Sequence, residues 1–448
     1  MQILLKNANV IHVDNESICK SDVLIENGLI KSINQSITYF QPDTQIVDCH
    51  NKWILPGLID MHVHIKEGFS HLFTAAGVTT VRNLAGSVLE LEDMMNADNS
   101  AKTPRVISAD RMIDGSPGLW GATSPYNFIT DDTDTARNEV RRQIQLGADL
   151  IKVYGLLKPN VMAAVCDEAS KSNKVVSCDL LYSSQVNAVE AAKIGVSWNE
   201  HASGIVQMLY PGWTMQADEA IWNSIDWNNL DLKKIQEICE ELLKYDVKIC
   251  PTITIYDQAY LADKPWRANH IVTTKVEENT GLINQWQYIL KSGLFKKRIG
   301  IQHNIIKTIA KVYHSIGGTV VCGTDSPGGI FTYPGMALHR ELELFVESGF
   351  TEFEAIKAAT IISADSLNRK DLGRVVEGTI ADLVILNSNP IDSISNSKDI
   401  FLIVKGGTVY TPQELIEAVP SEKENIEIIE KMISKFKKYG LPVDMHRD

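Results

Sequence analysis

The sequence predicts an α/β fold in which a (β/α)8 barrel of the TIM type is joined to a small β-sandwich domain formed by both ends of the chain. Three observations predict this fold. Short apolar strands alternate with helical stretches through the middle of the 448 residues, helix-ending glycines precede several of these strands, and strand-rich segments without helices stand on either side. Strands that alternate with helices are typical of a parallel sheet with both faces covered, and one such barrel accommodates about 250 residues or more.

The small domain is predicted from the strand-and-turn pattern at the two ends. Residues 1–57 alternate apolar and polar positions in short runs that break at Gly and Asn, as half-buried strands do. The same pattern returns at 382–386 and 400–410. We therefore expect residues 1–57 and 373–415 to complete one domain. Residues 416–448 should form a helical extension that docks on the body or on another subunit, since apolar residues recur there at helical spacing.

The barrel is predicted over residues 58–372. Eight short apolar segments in this part have the length and composition of buried parallel strands. They lie at 58–64, 78–83, 105–109, 150–154, 175–179, 196–201, 247–252 and 319–324. A glycine that would end the preceding helix stands before four of them, at Gly77, Gly147, Gly195 and Gly317. Eight strands with helices between them indicate a closed barrel.

Two connections at the predicted mouth of the barrel are too long for simple crossovers. The connection after the sixth strand contains Trp213, Trp222 and Trp227, and the connection after the seventh contains Trp266 and Trp286. Aromatic side chains mostly contribute core or interface area, so we interpret these tryptophans as packing the inserted helices onto the barrel. A lid over a substrate is the alternative.

The charge and the cysteines narrow the class of protein. With 43 Lys and Arg against 56 Asp and Glu, the net charge of -13 argues against binding nucleic acid or an anionic membrane. No apolar run approaches the roughly 20 residues of a membrane helix, and the first residues do not resemble a secretory signal. The seven cysteines form no CxxC pair and are interpreted as reduced thiols. We expect a cytoplasmic homo-oligomer that acts on a small molecule.

The first candidate site is the pair His62 and His64 at the end of the first barrel strand. Residues i and i+2 of a strand face the same side, so the two imidazoles would point to one place. Active sites of such barrels are built at the C-terminal strand ends, and converging imidazoles suit a divalent transition metal. Taken alone, a pair with this spacing is more often two partly exposed strand histidines.

Three further predicted strands carry residues that could bind a metal or act in catalysis. Asp325 follows the eighth strand, His201 follows the sixth, and Lys152 lies inside the fourth. A lysine within a buried strand is costly unless it is paired, neutralised or modified. The alternatives are a helix N-cap or turn for Asp325 and a side chain that reaches the sheet rim for Lys152. A barrel would bring all three to the same mouth as the two histidines.

These motifs together resemble the amidohydrolase superfamily, in its imidazolonepropionase and Xaa-Pro dipeptidase-like branch. The resemblance rests on PGLIDMHVH, GADLIKVY, NEH and CGTDSP, and on the later runs GMALHRELELFVESGFTEFEAIKAATIISADSL and GRVVEGTIADLVILNSNPI. It covers residues 7–410, nearly the whole chain, and it implies a barrel beside a split β-domain.

The resemblance also implies a ligand set and a mechanism. His62, His64 and Asp325 would bind the more buried metal. Lys152, as a carbamate made with carbon dioxide, would bridge to a second metal that His201 also binds. Asp325 and His201 would be the catalytic residues, with Asp325 as general base toward a water activated by the metal. These roles agree with the ability of a metal to lower the pKa of water and to polarise a carbonyl.

One position departs from the family pattern. The fifth strand usually supplies a histidine for the second metal, and here the segment reads VVSCDLLY, with Cys178 at that position and Asp179 beside it. A thiolate can bind zinc, whereas a buried cysteine is commonly a small apolar residue. The site would therefore hold two ions, with or without Cys178, or one ion. Tyr154, on the same side of its strand as Lys152, and Tyr256 are candidates for binding the substrate.

The function predicted from these residues is that of a metal-dependent hydrolase, with zinc as the expected ion. It would cleave the C–N bond of an amide, a peptide-like compound such as a dipeptide, or a cyclic amide, by means of metal-activated water. The alternatives are a lactone hydrolase and a barrel with weakened catalysis that serves in metal binding or assembly. The replaced fifth-strand histidine is the observation that supports the weakened barrel.

Overall fold

The computed structural model describes residues 2–121 and 123–443. Its strands, in chain order, are β1 (Gln2–His12), β2 (Ser17–Glu26), β3 (Leu29–Asn34), β4 (Gln45–Asp48), β5 (Trp53–Pro56), β6 (Leu58–Val63), β7 (Val78–Asn83), β8 (Arg105–Ser108), β9 (Met112–Asp114), β10 (Asn127–Ile129), β11 (Ile151–Tyr154), β12 (Val176–Asp179), β13 (Trp198–Glu200), β14 (Lys248–Cys250), β15 (Leu383–Leu386), β16 (Ile400–Lys405) and β17 (Thr408–Tyr410).

The helices, in the same order, are α1 (Ser70–Ala75), α2 (Val88–Met95), α3 (Thr133–Gln145), α4 (Pro159–Ser170), α5 (Ala188–Ile194), α6 (Ile205–Leu209), α7 (Glu219–Ser224), α8 (Leu232–Leu243), α9 (Ile253–Leu261), α10 (Ile271–Glu277), α11 (Thr280–Lys291), α12 (Leu294–Arg298), α13 (His303–Ser315), α14 (Met336–Glu347), α15 (Glu352–Ala358), α16 (Ile361–Ser366), α17 (Pro412–Glu417) and α18 (Glu422–Lys438). Short 3₁₀ turns lie at Glu67–Phe69, Gly300–Gln302 and Ile394–Lys398. Among the described residues, none of the helices has the length and apolar character needed to cross a membrane.

A ring of eight parallel segments forms the barrel. Strands β6, β7 and β8 pair side by side, and β11, β12, β13 and β14 form a second parallel run. A bridge between Ala109 and Leu150 joins the two runs on one side. On the other side, residues 319–324 make backbone hydrogen bonds to both β14 and β6, which closes the ring. The predicted barrel fold is confirmed.

The eighth segment differs from a regular strand. Residues 319–324 are extended, but the bridges that flank them to β14 and β6 are isolated ones. The N–H groups of Thr324 and Asp325 both donate to the carbonyl of His62, at 3.1 and 2.8 Å, and Asp325 has a φ of 60°. Two donors that share one acceptor cannot continue an evenly spaced parallel ladder. The backbone therefore leaves the strand conformation where it reaches the mouth.

The two ends of the chain build one mixed sheet of eight strands. Its order is β17-β16-β15-β5-β1-β2-β3, with β4 beside β1. The first half of β1 pairs with β4 and the second half with β5, which also pairs with β15. A small domain formed by both termini is thus confirmed, and its strands form one continuous hydrogen-bonded sheet over an apolar core. The domain boundaries placed after residues 57, 372 and 415 stay predictions.

The tryptophans of the first insertion form a packed cluster. The ring of Trp213 lies 5.1 Å from that of Trp222 and 5.7 Å from that of Trp227, and the latter two are 5.4 Å apart. All three are buried, and in the second insertion Trp286 is buried 5.5 Å from Phe331. This burial supports the interpretation that the aromatic residues attach the inserted helices to the barrel.

The C-terminal helix α18 docks on the barrel side of the molecule. Phe436 is buried in a cluster with Leu89 of α2, and Lys435 pairs with Glu92 at 2.7 Å. Met432 and Phe436 of the predicted apolar stripe therefore contact the body, whereas Ile426 and Ile429 of the same stripe are exposed. The last part of the predicted extension, 444–448, lies outside the described residues.

Candidate metal centre at the barrel mouth

Three of the predicted ligands lie together at the mouth of the barrel. Nε2 of His64 is 2.7 Å and Nε2 of His62 is 3.1 Å from Oδ1 of Asp325. The ligand atoms of the three residues all lie within 4.8 Å of one another. His62 and Asp325 are buried and His64 is half-buried, so the group opens toward solvent on the side of His64. Two imidazoles and one carboxylate at this spacing form a candidate site for one divalent ion.

The backbone enters the left-handed region at three of the strand ends. His201, Thr252 and Asp325 have φ angles of 63°, 49° and 60°. Such values are uncommon for residues other than glycine, and they cluster at functional sites, where the surrounding structure holds them in place. The three residues follow β13, β14 and the eighth segment, so the chain turns sharply at the mouth.

A buried ion pair that sequence reasoning missed supports the first ligand. Both carboxylate oxygens of Glu200 accept from Nη2 of Arg82, at 2.8 and 3.0 Å, and neither residue is exposed. Glu200 also accepts from the hydroxyl of Ser177 at 2.6 Å and lies 2.9 Å from Nδ1 of His62. Although burial opposes it, the guanidinium of Arg82 and the imidazole hold the pKa of Glu200 below its usual range. The signal in the sequence was a charged residue inside each of two buried strands, VTTVRN and WNE.

The carboxylate of Glu200 fixes the tautomer of His62. Because an ionised carboxylate can only accept, the ring proton of His62 is on Nδ1, and Nε2 presents a lone pair to Asp325. Burial lowers the pKa of His62, which favours this neutral ring. A lone pair and a carboxylate oxygen 3.1 Å apart are both acceptors, and a cation that binds both makes the arrangement favourable. The residues therefore fit a divalent metal, with the imidazole oriented by a carboxylate behind it.

The position of Cys178 on the fifth barrel strand, β12, differs from the one expected from the sequence. Cys178 is buried in the apolar cluster with Val165, between the barrel and its helices. Asp179 faces the mouth instead, with Oδ2 3.4 Å from Nε2 of His201. Strand alternation is the reason, because Ser177 and Asp179 share the inner face of β12 and Cys178 takes the outer face. Cys178 therefore does not stand at the expected ligand position.

His201 and Lys152 lie in the same cluster as Asp179. The ring centroids of His201 and His62 are 4.7 Å apart, so the two groups of side chains are continuous. Burial alone would lower the pKa of His201, but the carboxylate of Asp179 outweighs it and raises that pKa. Lys152 is buried on β11, and its Nζ has no hydrogen-bond partner within the described part of the chain. A buried amine without a partner is costly, so a bound group or a modification at Lys152 would be stabilising.

The two tyrosines predicted to bind substrate are both buried near this cluster. Tyr154 pairs with Asp179 where β11 lies beside β12, and the hydroxyl of Tyr256 is 3.4 Å from the carbonyl oxygen of His201. Burial, together with the negative charge of Asp179, raises the pKa of both phenols well above the usual value. Both side chains therefore remain O–H donors at neutral pH.

Two further buried carboxylates hold the backbone behind the site. Asp60 accepts from the hydroxyl of Thr324 at 2.7 Å and from the N–H of His62 at 3.2 Å. Burial raises the pKa of Asp60 to about 7. Glu341 accepts from the N–H and the hydroxyl of Thr254, both at 2.7 Å, at the start of α9. These contacts join the eighth segment to β6 and fix the turn that follows β14.

Gly323 lets the eighth segment approach β6 and β14 closely. A Cβ at this position would lie 2.8 Å from the backbone N of His62 and would clash with Sγ of Cys250. We expect Gly323→Ala to lower the free energy of unfolding by about 1–3 kcal/mol, the usual cost of overpacking. Denaturant unfolding of the metal-free protein measures this change.

The matched control is Gly281→Ala on the exposed surface of α11. A Cβ there meets only Oδ1 of Asn279, at 3.4 Å. Alanine is a better helix former than glycine, so this variant should be as stable as the wild type or slightly more stable. A Gly323→Ala variant of wild-type stability would show that the eighth segment can move away from His62.

The chain belongs to the amidohydrolase family. The sequence profile of that family matches residues 53–412, from β5 to the start of α17. The family inferred from the motifs is confirmed. Its members typically bind a divalent metal, and His62, His64 and Asp325 are candidate ligands for one here.

Two relatives and one solved structure illustrate the likeness. A dihydroorotase of Carboxydothermus hydrogenoformans is 43% identical over 72 residues, but the match covers only 16% of each chain. Ochratoxinase of Aspergillus niger is 24% identical over 426 residues, which cover 80% of this chain and 75% of ochratoxinase. The crystal structure of a Xaa-Pro dipeptidase with bound methionine in the active site is 19% identical, with a TM-score of 0.67 over 92% of this chain and 100% of that chain. This last likeness shows a shared fold.

Proposed function

We propose that the protein is a metal-dependent hydrolase that cleaves the C–N bond of a small amide, peptide-like or cyclic amide substrate. The observation that carries the proposal is the convergence of His62, His64 and Asp325, in which a bare imidazole nitrogen faces a buried carboxylate. Zinc is the ion that these residues suit best, because it takes nitrogen and oxygen ligands and keeps one position open in catalytic sites.

The side chains around the site have the properties that such a reaction needs. When bound, a divalent ion supplies a Lewis acid that polarises a carbonyl and lowers the pKa of a water molecule. Asp325 is the base for that water's proton: despite its burial, the imidazole of His64 holds its pKa well below the usual value, so it is ionised. The phenols of Tyr154 and Tyr256 would donate hydrogen bonds to the substrate oxygen that gains charge.

Lys152 and His201 extend the site on the other side of His62. Lys152 would be present as a carbamate, which turns the buried amine without a partner into an anion that can bind a metal. His201, oriented by a 2.6 Å hydrogen bond between its Nδ1 and Thr252, would be a ligand and position the substrate.

The substrate class is inferred from the site and from the named relatives. A Xaa-Pro dipeptidase is named for dipeptides with proline as the second residue, and its fold matches this chain over nearly the whole length. We therefore place Xaa-Pro dipeptides and N-acyl amino acids first among the substrates to test. Both contain one amide carbonyl, the group that a divalent ion at this mouth would polarise.

The test is hydrolysis of a substrate panel before and after removal of the metal. The panel contains Xaa-Pro dipeptides, N-acyl amino acids, cyclic amides and lactones, and the stripped protein is reloaded with Zn²⁺ or Mn²⁺. We expect the loaded protein to hydrolyse at least one amide, and chelation to lower the rate by more than about 100-fold. His64→Gln should lower the metal content, whereas His50→Gln, on an exposed turn of the small domain, should leave it unchanged.

Three outcomes would contradict the proposed function, each in a different way. A loaded protein that hydrolyses lactones and no amide would replace the proposal with a lactone hydrolase. A protein that binds metal and hydrolyses nothing in the panel would favour a binding or assembly role. Amide hydrolysis that survives complete loss of metal would remove the metal from the reaction.

A further inference from the structure

Asp179 and His201 form a second place where an imidazole nitrogen faces a carboxylate oxygen. Oδ2 of Asp179 lies 3.4 Å from Nε2 of His201, and both residues are more than nine-tenths buried. The other oxygen of Asp179 accepts from the N–H of Leu181 at 2.9 Å. That hydrogen bond orients the carboxylate, so that Oδ2 faces the histidine.

The hydrogen bonds of His201 leave its Nε2 available as a ligand. The hydroxyl of Thr252 donates its one proton to the carbonyl of Pro251 at 2.7 Å. The same hydroxyl oxygen can then accept from Nδ1–H of His201, at 2.6 Å. In the neutral ring, Nε2 then carries the lone pair that faces Asp179.

The separation of the two atoms leaves room for an ion that binds both. Two ligands of one tetrahedral ion, each with a bond of about 2.1 Å, lie about 3.4 Å apart. Nε2 of His201 and Oδ2 of Asp179 have this separation.

Asp179 could instead form an ion pair with Lys152, but these two described side chains are not hydrogen-bonded to each other. Both residues lie on inner faces of adjacent strands, with Tyr154 paired to Asp179 and Lys152 two residues before Tyr154. Nζ of Lys152 nevertheless has no hydrogen-bond partner among the described residues. Asp179 is thus directed at His201 rather than used to neutralise the lysine.

We propose that Asp179 and His201, together with Lys152, bind a second divalent cation beside the one assigned to His62, His64 and Asp325. This inference rests on the proposed function and adds an acidic ligand at the position where the family usually has a histidine. Carboxylate oxygen suits Mn²⁺ and Mg²⁺, whereas imidazole suits zinc. The second site therefore favours Mn²⁺, relative to Zn²⁺, more than a site with histidine at residue 179 would.

The test is metal titration of the stripped full-length chain with Mn²⁺ and, separately, Zn²⁺, in bicarbonate buffer, read by calorimetry and metal analysis. We expect two equivalents in the wild type. Asp179→Asn should bind one equivalent with unchanged affinity and the second more than about 100-fold more weakly, because it loses an anionic ligand. Loaded with Mn²⁺, the wild type should give the electron paramagnetic resonance spectrum of a coupled pair of ions, and Asp179→Asn that of an isolated ion.

Cys178→Ala is the matched control, since Cys178 is the next residue on the opposite face of β12 and should not affect the metal count. Two tight equivalents in Asp179→Asn, or one in the wild type, would overturn the inference while leaving the proposed hydrolase intact. Absence of bound metal in every variant would overturn both.

A third variant keeps the test decisive if Asp179→Asn does not fold. Asp179→His should retain two ions and raise the preference for Zn²⁺ over Mn²⁺ at the second site by about tenfold. An unchanged preference would overturn the assignment of residue 179 as a ligand.

Discussion

Asp325→Asn is expected to lower kcat/KM for amide hydrolysis by about 10,000-fold, the upper end of what a general base contributes. Asparagine has the shape of aspartate, so the packing of residue 325 is retained. Its amide cannot take a proton from water, however, and it no longer offers a charged ligand beside His62 and His64. Steady-state kinetics with the best amide of the substrate panel, at saturating metal, measures the loss.

The control for this variant is Asp392→Asn, at an exposed position of the small domain. It should leave kcat/KM unchanged, and both variants should have the circular dichroism spectrum of the wild type. If Asp325→Asn retained more than about a tenth of the wild-type activity, the effect would be too small for a general base, and another residue would have that role.

Glu200→Gln is expected to lower the free energy of unfolding of the metal-free protein by about 3–5 kcal/mol, the cost of breaking a buried ion pair. The change leaves the guanidinium of Arg82 inside the barrel without a counterion. It also removes the acceptor that fixes the tautomer of His62, so metal affinity should fall by about 10–100-fold. Denaturant unfolding and metal titration measure the two effects separately.

Two further variants serve as controls for Glu200→Gln. Glu237→Gln, on the exposed side of α8, should change the free energy of unfolding by less than about 0.5 kcal/mol. Combining Glu200→Gln with Arg82→Met removes the buried charge as well, and this double variant should be more stable than Glu200→Gln alone. If Glu200→Gln had the stability of the wild type, the barrel interior would have to solvate Arg82 by other means.

The meeting of His62, Lys152 and Asp325 at one mouth could be predicted from the sequence. The carboxyl ends of parallel strands in a closed barrel point the same way, so residues at those ends must lie near one another. The small domain could be predicted too, because strand-like alternation returned after the barrel at 382–386 and 400–410. Both predictions depend on local periodicity, which a single sequence displays directly.

The inner face of β12 could not be predicted in the same way. Val176–Asp179 contains a valine, a serine, a cysteine and an aspartate. The alternate residues on each face of this strand therefore include a polar or a weakly apolar one, and neither face is clearly apolar. Pairing with β11, which places Tyr154 opposite Asp179, fixes the phase. The ion pair between Glu200 and Arg82 could not be predicted either, because it joins residues 118 positions apart.

The closure of the barrel by residues 319–324 also bears on how the protein is made. Until that segment leaves the ribosome, β6 and β14 have unpaired edges, and β6 carries His62 on one of them. Open edges of this kind pair readily with other chains during synthesis. The small domain is completed later still, because β5 obtains its partner β15 only after residue 383. A newly made chain therefore completes the mouth of the barrel before the sheet of the small domain, and the aggregation-prone edges of the two domains are covered in that order.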